Sequence, residues 1–134
     1  FFVPDFVFDR AKGYFMAKIL SSSLAIDQGD VLIFSDLEDG GEMWTGKGDR
    51  SRTARVNFRE QFREKPMVSL GIKMIDADGG ANLRYDLILE DVSATGFNIR
   101  FKTWGDTKIA RASVNWGAIG AGYGDDDWDD VDPY

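Results

Sequence analysis

Carboxylates are the side chains of this sequence that could do acid–base chemistry or hold a hard cation. The segment SDLEDGGE carries Asp36, Glu38 and Asp39, and the segment MIDADGG carries Asp76 and Asp78. Carboxylate groups spaced in this way can bind Ca²⁺ or flank a glycosidic bond. Each segment also contains Gly-Gly, and Asp with Gly is the composition that tight turns require. Neither segment has the spacing of an EF-hand loop, so we interpret both as solvated turns that follow strands.

The sequence contains no histidine and no cysteine. Their absence excludes disulfides, thiol nucleophiles, thiolate or imidazole metal sites and the most common general base. Catalysis would have to use carboxylates, Lys, Tyr, Ser or Thr, and a hydrolase with paired Asp or Glu residues is the enzymatic alternative. No diagnostic catalytic motif supports it. We therefore predict a protein that is not an enzyme and has no cofactor and no metal site.

A glycine-rich segment, GKGDR, spans Gly46 to Arg50. It lacks the pattern of a nucleotide-binding phosphate loop and has no predicted helix after it. We interpret it as a mobile loop that presents Asp49. The aromatic residue Trp44 stands just before this loop, where it would either join the core or line a site.

The elements that would position these residues are β-strands. A chain of 134 residues with 43% hydrophobic residues forms one domain with a sizeable core. Short runs with period-two alternation, separated by Gly and Asp turns, predict an all-β sandwich of antiparallel strands. No segment predicts a stable helix; residues 10–26 come nearest. The six predicted strands lie at residues 31–34, 54–58, 67–75, 82–90, 96–102 and 109–116.

One Arg and one Trp leave this alternating pattern in a way that indicates a binding site. Phe97, Ile99 and Phe101 form the inward set of their strand, so Trp104 falls on the outward face. Arg84 lies on the polar face of the preceding strand. An exposed aromatic ring beside an Arg and a carboxylate is the combination with which proteins bind sugars. The alternative is that Trp104 caps the core at the sheet edge or packs against another subunit.

The charge is concentrated at one end of the chain. The formal net charge is −7, but residues 121–134 hold six Asp and no Lys or Arg, so residues 1–120 carry 16 basic and 17 acidic groups. An acidic chain repels phosphate backbones, which argues against nucleic-acid binding. The acidic tail is predicted to be disordered, with calcium binding, nucleic-acid mimicry or docking through Trp128 and Tyr134 as alternatives.

The first residues are unusually aromatic, with Phe1, Phe2, Phe6 and Phe8 close together. They lack the basic leader and cleavage site of a signal peptide, and Met16 is a plausible alternative start. We therefore predict an aromatic N-terminal arm over residues 1–24, a β-sandwich over 25–120 and an acidic tail over 121–134. No segment is apolar over the length of a membrane span.

An ordered set of motifs between residues 56 and 120 resembles the H-type lectin domain family, known from snail agglutinins and discoidin C-terminal domains. The stretch DQGDVLIFSD resembles the family's entry strand more loosely. The motifs that carry the resemblance are Phe58 and Phe62 before Pro66-Met-Val, Asn82-Leu-Arg84, Thr95-Gly96-Phe97, Thr103-Trp104 with Asp106-Thr107-Lys108, and Trp116.

The resemblance implies a six-stranded antiparallel β-sandwich that forms trimers, sometimes hexamers, and binds N-acetylgalactosamine or galactose-like sugars at clefts between protomers. It places the family's sugar-contacting Arg on Arg84, its Trp on Trp104 and its loop Asp near Asp49. Gly105 and Ala110 stand where the agglutinin has a His and a Tyr, and the disulfide cysteines are missing. We therefore expect the scaffold to be kept and the sugar specificity to differ.

Two functions follow as hypotheses. The first is a lectin that binds glycans as a homo-oligomer. The second is a structural or adhesion subunit, such as a spike or fibre head, that uses the same fold for trimerisation; the aromatic arm and the acidic tail favour it. Either function predicts an extracellular, cell-surface or virion-associated protein.

Overall fold

A computed structural model describes residues 3–9, 14–20 and 23–124 of the chain. Side chains are described for residues 23–124. Phe1, Phe2, Trp128, Tyr134 and the acidic residues 125–134, for which the sequence makes predictions, lie outside the described residues, and the boundaries at residues 24 and 120 remain predictions.

The described residues form eight strands and one short helix. They are β1 (Val3–Asp9), β2 (Tyr14–Leu20), β3 (Leu24–Ser35), α1 (Glu42–Thr45), β4 (Arg50–Asn57), β5 (Met67–Ala77), β6 (Tyr85–Glu90), β7 (Gly96–Thr103) and β8 (Ile109–Ala121).

Six of these strands form two antiparallel sheets of three strands each. One sheet has the order β3-β8-β5 and the other the order β4-β7-β6. All of their pairings are antiparallel. The six strands predicted from the sequence are β3 to β8, so the prediction of six antiparallel strands in a two-sheet all-β fold is confirmed.

The core lies between the two sheets. Alternation along β7 buries Phe97, Ile99 and Phe101 completely. Phe97 and Phe101 contact the other sheet edge-on through their rings. The ring centroid of Phe97 lies 5.3 Å from that of Trp116, and the ring centroid of Phe101 lies 5.3 Å from that of Phe34. Apolar side chains that alternate along a strand can bury only one of its faces, which leaves the outer faces of both sheets for other contacts.

Three features differ from the prediction. Residues 14–20 form β2, which pairs with β1 in a separate two-stranded sheet, whereas residues 10–26 were the nearest approach to a helix. The only helix among the described residues is α1, four residues long, within a segment predicted to be a turn and loop. Leu83 and Leu89 alternate with polar residues in the strand predicted over residues 82–90, which predicts a half-buried face, but both are exposed. Leu83 lies before β6, and Leu89 lies on β6, an edge strand with a partner on one side only.

Within the described ranges, no helix has the length and apolar character needed to cross a membrane.

Candidate functional site

The candidate site lies at one end of the β4-β7-β6 sheet. Arg50 begins β4 and pairs with Thr103 at the end of β7, and Thr103 pairs on its other side with Tyr85 at the start of β6. The next residues beyond this row are Asp49, Trp104 and Arg84. Three of the residues predicted to bind a ligand are therefore neighbours across three adjacent strands, although up to 55 positions separate them in the sequence.

Trp104 and Asp49 are exposed, and Arg84 is partly exposed. Trp104 has 36% of its surface accessible, which is high for so large an apolar side chain. The guanidinium of Arg84 forms an ion pair with Asp106, with Nη1 2.8 Å from Oδ1. An indole ring and an oriented guanidinium at one exposed surface can bind a ligand that has both an apolar face and hydroxyl groups.

Two buried threonines hold the main chain of Arg84. The N–H of Arg84 donates to Oγ1 of Thr107 at 3.0 Å, and its carbonyl accepts a hydrogen bond from Oγ1 of Thr103. The hydroxyl of Thr107 in turn donates to the carbonyl of Asn82. Thr103 and Thr107 are at most 1% exposed. Arg84 is therefore fixed at its backbone by two hydroxyls and at its side chain by a carboxylate, so it loses little conformational freedom when a ligand binds.

Gly105 joins the Trp104 loop to the Asp49 loop. Its carbonyl accepts a hydrogen bond from the N–H of Gly48 at 2.9 Å. Its φ of +69° is in the left-handed region, and a Cβ at this position would lie 3.4 Å from Nη1 of Arg84. A glycine is therefore suited to this position by its backbone and by the approach of Arg84.

Ala110 is the predicted site residue that lies apart from this surface. It is 3% exposed within β8, and its carbonyl accepts a hydrogen bond from the N–H of Asp36 at 2.7 Å. The structure thus brings Asp49, Arg84, Trp104 and Gly105 to one sheet end and places Ala110 in the interior.

Three of the five carboxylate groups considered for a cation or for acid catalysis have structural partners. Asp36 is 5% exposed, and its carboxylate accepts hydrogen bonds from the guanidinium of Arg52 and from the N–H of Met43. Asp76 pairs with Arg111, and Asp78 accepts from the N–H of Gly80 in the turn. Residues 23–124 contain no group of three or more Asp or Glu side chains arranged to hold a metal ion.

Arg50, Thr103 and Thr107 were not identified from the sequence as contributors to this site. For Arg50 the signal was present, because the inward phase of Phe58 and Val56 extends back along β4 to it and an Arg in such a position indicates a buried cation. The inward phase of Phe97, Ile99 and Phe101 likewise extends to Thr103, but the bonds of both threonines to Arg84 depend on the pairing of segments that are distant in sequence. Trp44, left open as core or site, is half-buried with Nζ of Lys108 4.7 Å from its ring centroid.

Comparisons with known proteins agree with this architecture. A family model described as the H-type lectin domain matches residues 53–119. Discoidin-2 of Dictyostelium discoideum is 31% identical over 77 residues, which cover 56% of this chain and 30% of discoidin-2. A protein of Fuscovulum blasticum named "ATP synthase subunits region ORF 7" is 46% identical over 110 residues, covering 82% of this chain and 96% of that protein.

Among solved structures, the wild-type discoidin II of Dictyostelium discoideum superimposes with a TM-score of 0.65 at 26% identity. The match covers 75% of this chain and 38% of the discoidin II chain. The chain thus spans well under half of discoidin II and nearly all of the Fuscovulum blasticum protein.

Proposed function

The chain belongs to the H-type lectin domain family, and from that premise we propose that it binds N-acetylgalactosamine or galactose-like sugars at the Trp104 end of the β4-β7-β6 sheet. The observation that carries the proposal is the common placement of Asp49, Arg84 and Trp104 directly beyond one row of paired strand residues. We further propose that the protein has no enzymatic activity.

Each side chain has a distinct task in this proposal. The ring of Trp104 packs against the apolar face of the sugar, where C–H groups are exposed. Arg84 donates hydrogen bonds to sugar oxygens through the N–H groups that Asp106 leaves available, and the carboxylate of Asp49 accepts hydrogen bonds from sugar hydroxyls. With Gly105 in place of a His, one side chain fewer contacts the sugar, so we expect weak binding at each site.

Weak sites gain strength when several copies act together, and we propose that the protein forms a trimer or hexamer with sugar clefts between protomers. The outer face of the β3-β8-β5 sheet supports self-association. Ile26, Ile119 and Met67 form one cross-strand row there, and their exposed fractions are 71%, 44% and 46%. Contiguous exposed apolar residues of this kind mark interaction surfaces.

Replacing Ile119 by Glu is expected to dissociate the oligomer, because a buried, unpaired carboxylate in the apolar row opposes association. The measurement is the mass in solution by light scattering with size-exclusion chromatography. Leu37→Glu is the matched control, since Leu37 is 49% exposed in the loop after β3 and lies outside the row. A wild-type protein that is already a monomer, or an equal change of mass in both variants, contradicts the proposed interface.

A glycan array probed with the intact protein tests the proposed function itself. We expect binding to glycans that end in N-acetylgalactosamine or galactose and no binding to mannose or glucose glycans. Failure to bind any glycan on the array, with a folded protein confirmed by circular dichroism, would overturn the sugar-binding proposal.

The β1–β2 hairpin supports a second candidate function, a structural or adhesion subunit. It forms a sheet of its own, separate from the two three-stranded sheets, with β2 near β8, and a two-stranded hairpin on its own is marginally stable in water. Under this hypothesis, deletion of residues 1–22 lowers the mass of the oligomer, whereas an unchanged mass counts against it.

A further inference from the structure

Arg50 is a buried cation whose hydrogen bonds, within residues 23–124, all go to main-chain oxygens. It is 5% exposed. Its Nε donates to the carbonyl of Gly48 at 2.9 Å, and Nη2 donates to the carbonyl of Gly105 at 3.3 Å. Its Nη1 donates to the carbonyls of Glu42 and Met43 at 3.2 and 3.4 Å. Four carbonyls thus surround a single guanidinium.

Among residues 23–124, no ion pair between Arg50 and a carboxylate is present, which separates it from its neighbour on the same face of the strand. Arg52 lies two residues along β4 and pairs with the carboxylate of Asp36 at 2.8 Å. Burying a cation is costly unless its donors are satisfied. The four carbonyls accept hydrogen bonds from the buried guanidinium, and they can do so only while the segments that carry them stay in place.

The four carbonyls come from three segments that meet at the proposed sugar site. Glu42 and Met43 belong to α1, Gly48 directly precedes Asp49, and Gly105 directly follows Trp104. A planar guanidinium has five N–H donors in a fixed fork, so it can hold several acceptors at set angles, whereas the ammonium group of Lys cannot. One side chain therefore links the Asp49 loop to the Trp104 loop.

We propose that Arg50 is a positioning residue that fixes the Asp49 loop against the Trp104 loop and thereby sets the affinity for the sugar. The inference rests on the proposed function and assigns to it a residue that does not itself touch the ligand. The hydrogen bond from the N–H of Gly48 to the carbonyl of Gly105 reports directly on this clamp.

The first test compares Arg50→Lys with Arg52→Lys. We expect Arg50→Lys to weaken binding of N-acetylgalactosamine about tenfold or more, the effect of losing a charged hydrogen-bonded anchor. Amide hydrogen exchange at Gly48, followed by NMR, should accelerate while exchange at Val114 in the central strand β8 stays slow. Arg52 lies on the same strand and donates to Asp36 rather than to the carbonyls of Gly48 and Gly105, so Arg52→Lys should keep wild-type affinity and slow exchange at Gly48.

A second pair of variants avoids any change to a buried charge. Gly48 and Gly40 both have left-handed φ angles, +76° and +67°, and a Cβ at either meets nothing within 4 Å. Alanine is strained at both positions to a similar degree. Gly48→Ala strains the clamped loop and should weaken sugar binding, whereas Gly40→Ala strains the loop before α1 and should not. If Arg50→Lys does not fold, this pair of variants still tests whether the position of the Asp49 loop sets the sugar affinity.

The outcomes separate this inference from the proposed function. Three results would each overturn the positioning role. The first is slow amide exchange at Gly48 in Arg50→Lys, and the second is unchanged sugar affinity although exchange at Gly48 has become faster. The third is an equal loss of affinity in the test and control variants. A folded wild-type protein that binds no sugar overturns the proposed function and the effect on affinity with it, and Gly48 exchange then decides whether Arg50 fixes the loop.

Discussion

Replacing Trp104 by Ala is expected to abolish detectable sugar binding and to leave the fold intact. The indole is the large apolar surface at the proposed site and is 36% exposed, so its removal takes away the platform for the sugar without opening the core. A central Trp in a binding site contributes about 2 kcal/mol or more, which is at least about 30-fold in affinity. For a weak site this loss places binding below detection.

Titration calorimetry on the Trp104→Ala protein, with thermal unfolding measured in parallel, checks this result. Trp104→Phe should restore part of the affinity because it keeps an aromatic face. Arg84→Ala should weaken binding in the same way, since the two threonines hold the main chain of residue 84 rather than its side chain. Wild-type affinity in both alanine variants would remove the site from this end of the sheet.

Asp27→Asn is expected to lower the free energy of unfolding by about 1.5 to 3 kcal/mol, the range for hydrogen bonds to a charged group. Asp27 is 7% exposed on β3, and it ties that strand to the segment after β4. Its Oδ1 accepts from Nη2 of Arg59 at 2.6 Å, from Nε at 3.1 Å and from the N–H of Gln28 at 2.9 Å. Its Oδ2 accepts from the N–H of Arg59 at 3.1 Å.

The pKa of Asp27 gives this prediction a pH dependence. Burial acts to raise the pKa, but the hydrogen bonds from Arg59 and Gln28 and the charge of Arg59 together hold it below its usual value of 3.8. A carboxylate whose pKa is lower in the folded state stabilises the protein above its unfolded-state pKa, and the stabilisation is lost as the pH falls through the folded-state pKa. The stability difference between wild type and Asp27→Asn should therefore be full at neutral pH and shrink below about pH 3.8.

Asp30→Asn is the matched control for Asp27→Asn. Asp30 lies three residues along the same strand and pairs with Lys73 at 2.6 Å, but both side chains are about half exposed. Exposed pairs contribute about 1 kcal/mol or less. Urea unfolding at neutral pH and at a pH below 3.8, the usual pKa of Asp, separates the two variants. If Asp30→Asn lowers the free energy of unfolding as much as Asp27→Asn does, burial of the carboxylate is not the cause of the destabilisation.

The sequence predicts the strands best where one face is fully buried. In β7, three alternating apolar side chains occupy the interior, so the period-two pattern and the burial coincide. In β6, which lies at the edge of its sheet, the alternation is present but Leu89 is exposed. The sequence pattern does not predict this, because alternation does not reveal whether a strand lies at the edge of its sheet. The β1–β2 hairpin was missed because its residues show only weak periodicity, and α1 is too short for a helical period to be recognised.

For the site, too, the sequence predicts features that depend on local patterns and misses those that depend on contacts between distant segments. Trp104 and Arg84 are recognisable as outward residues from the phase of the strands that adjoin them, which is local information. That they lie beside Asp49 follows from the register of three strands, and the role of Arg50 follows from contacts to residues as distant in sequence as Gly105. A single sequence contains no pattern for such contacts, because they depend on the packing of loops from different parts of the chain.

An NMR titration of the ¹⁵N-labelled protein with N-acetylgalactosamine and with galactose is the most direct test of the proposed sugar site. We expect saturable shifts of the Trp104 indole N–H and of the backbone amides of Asp49, Arg84 and Gly105, with the outer face of the β3-β8-β5 sheet unchanged. Shifts confined to that outer face, or no shift at Trp104 with either sugar, would contradict it.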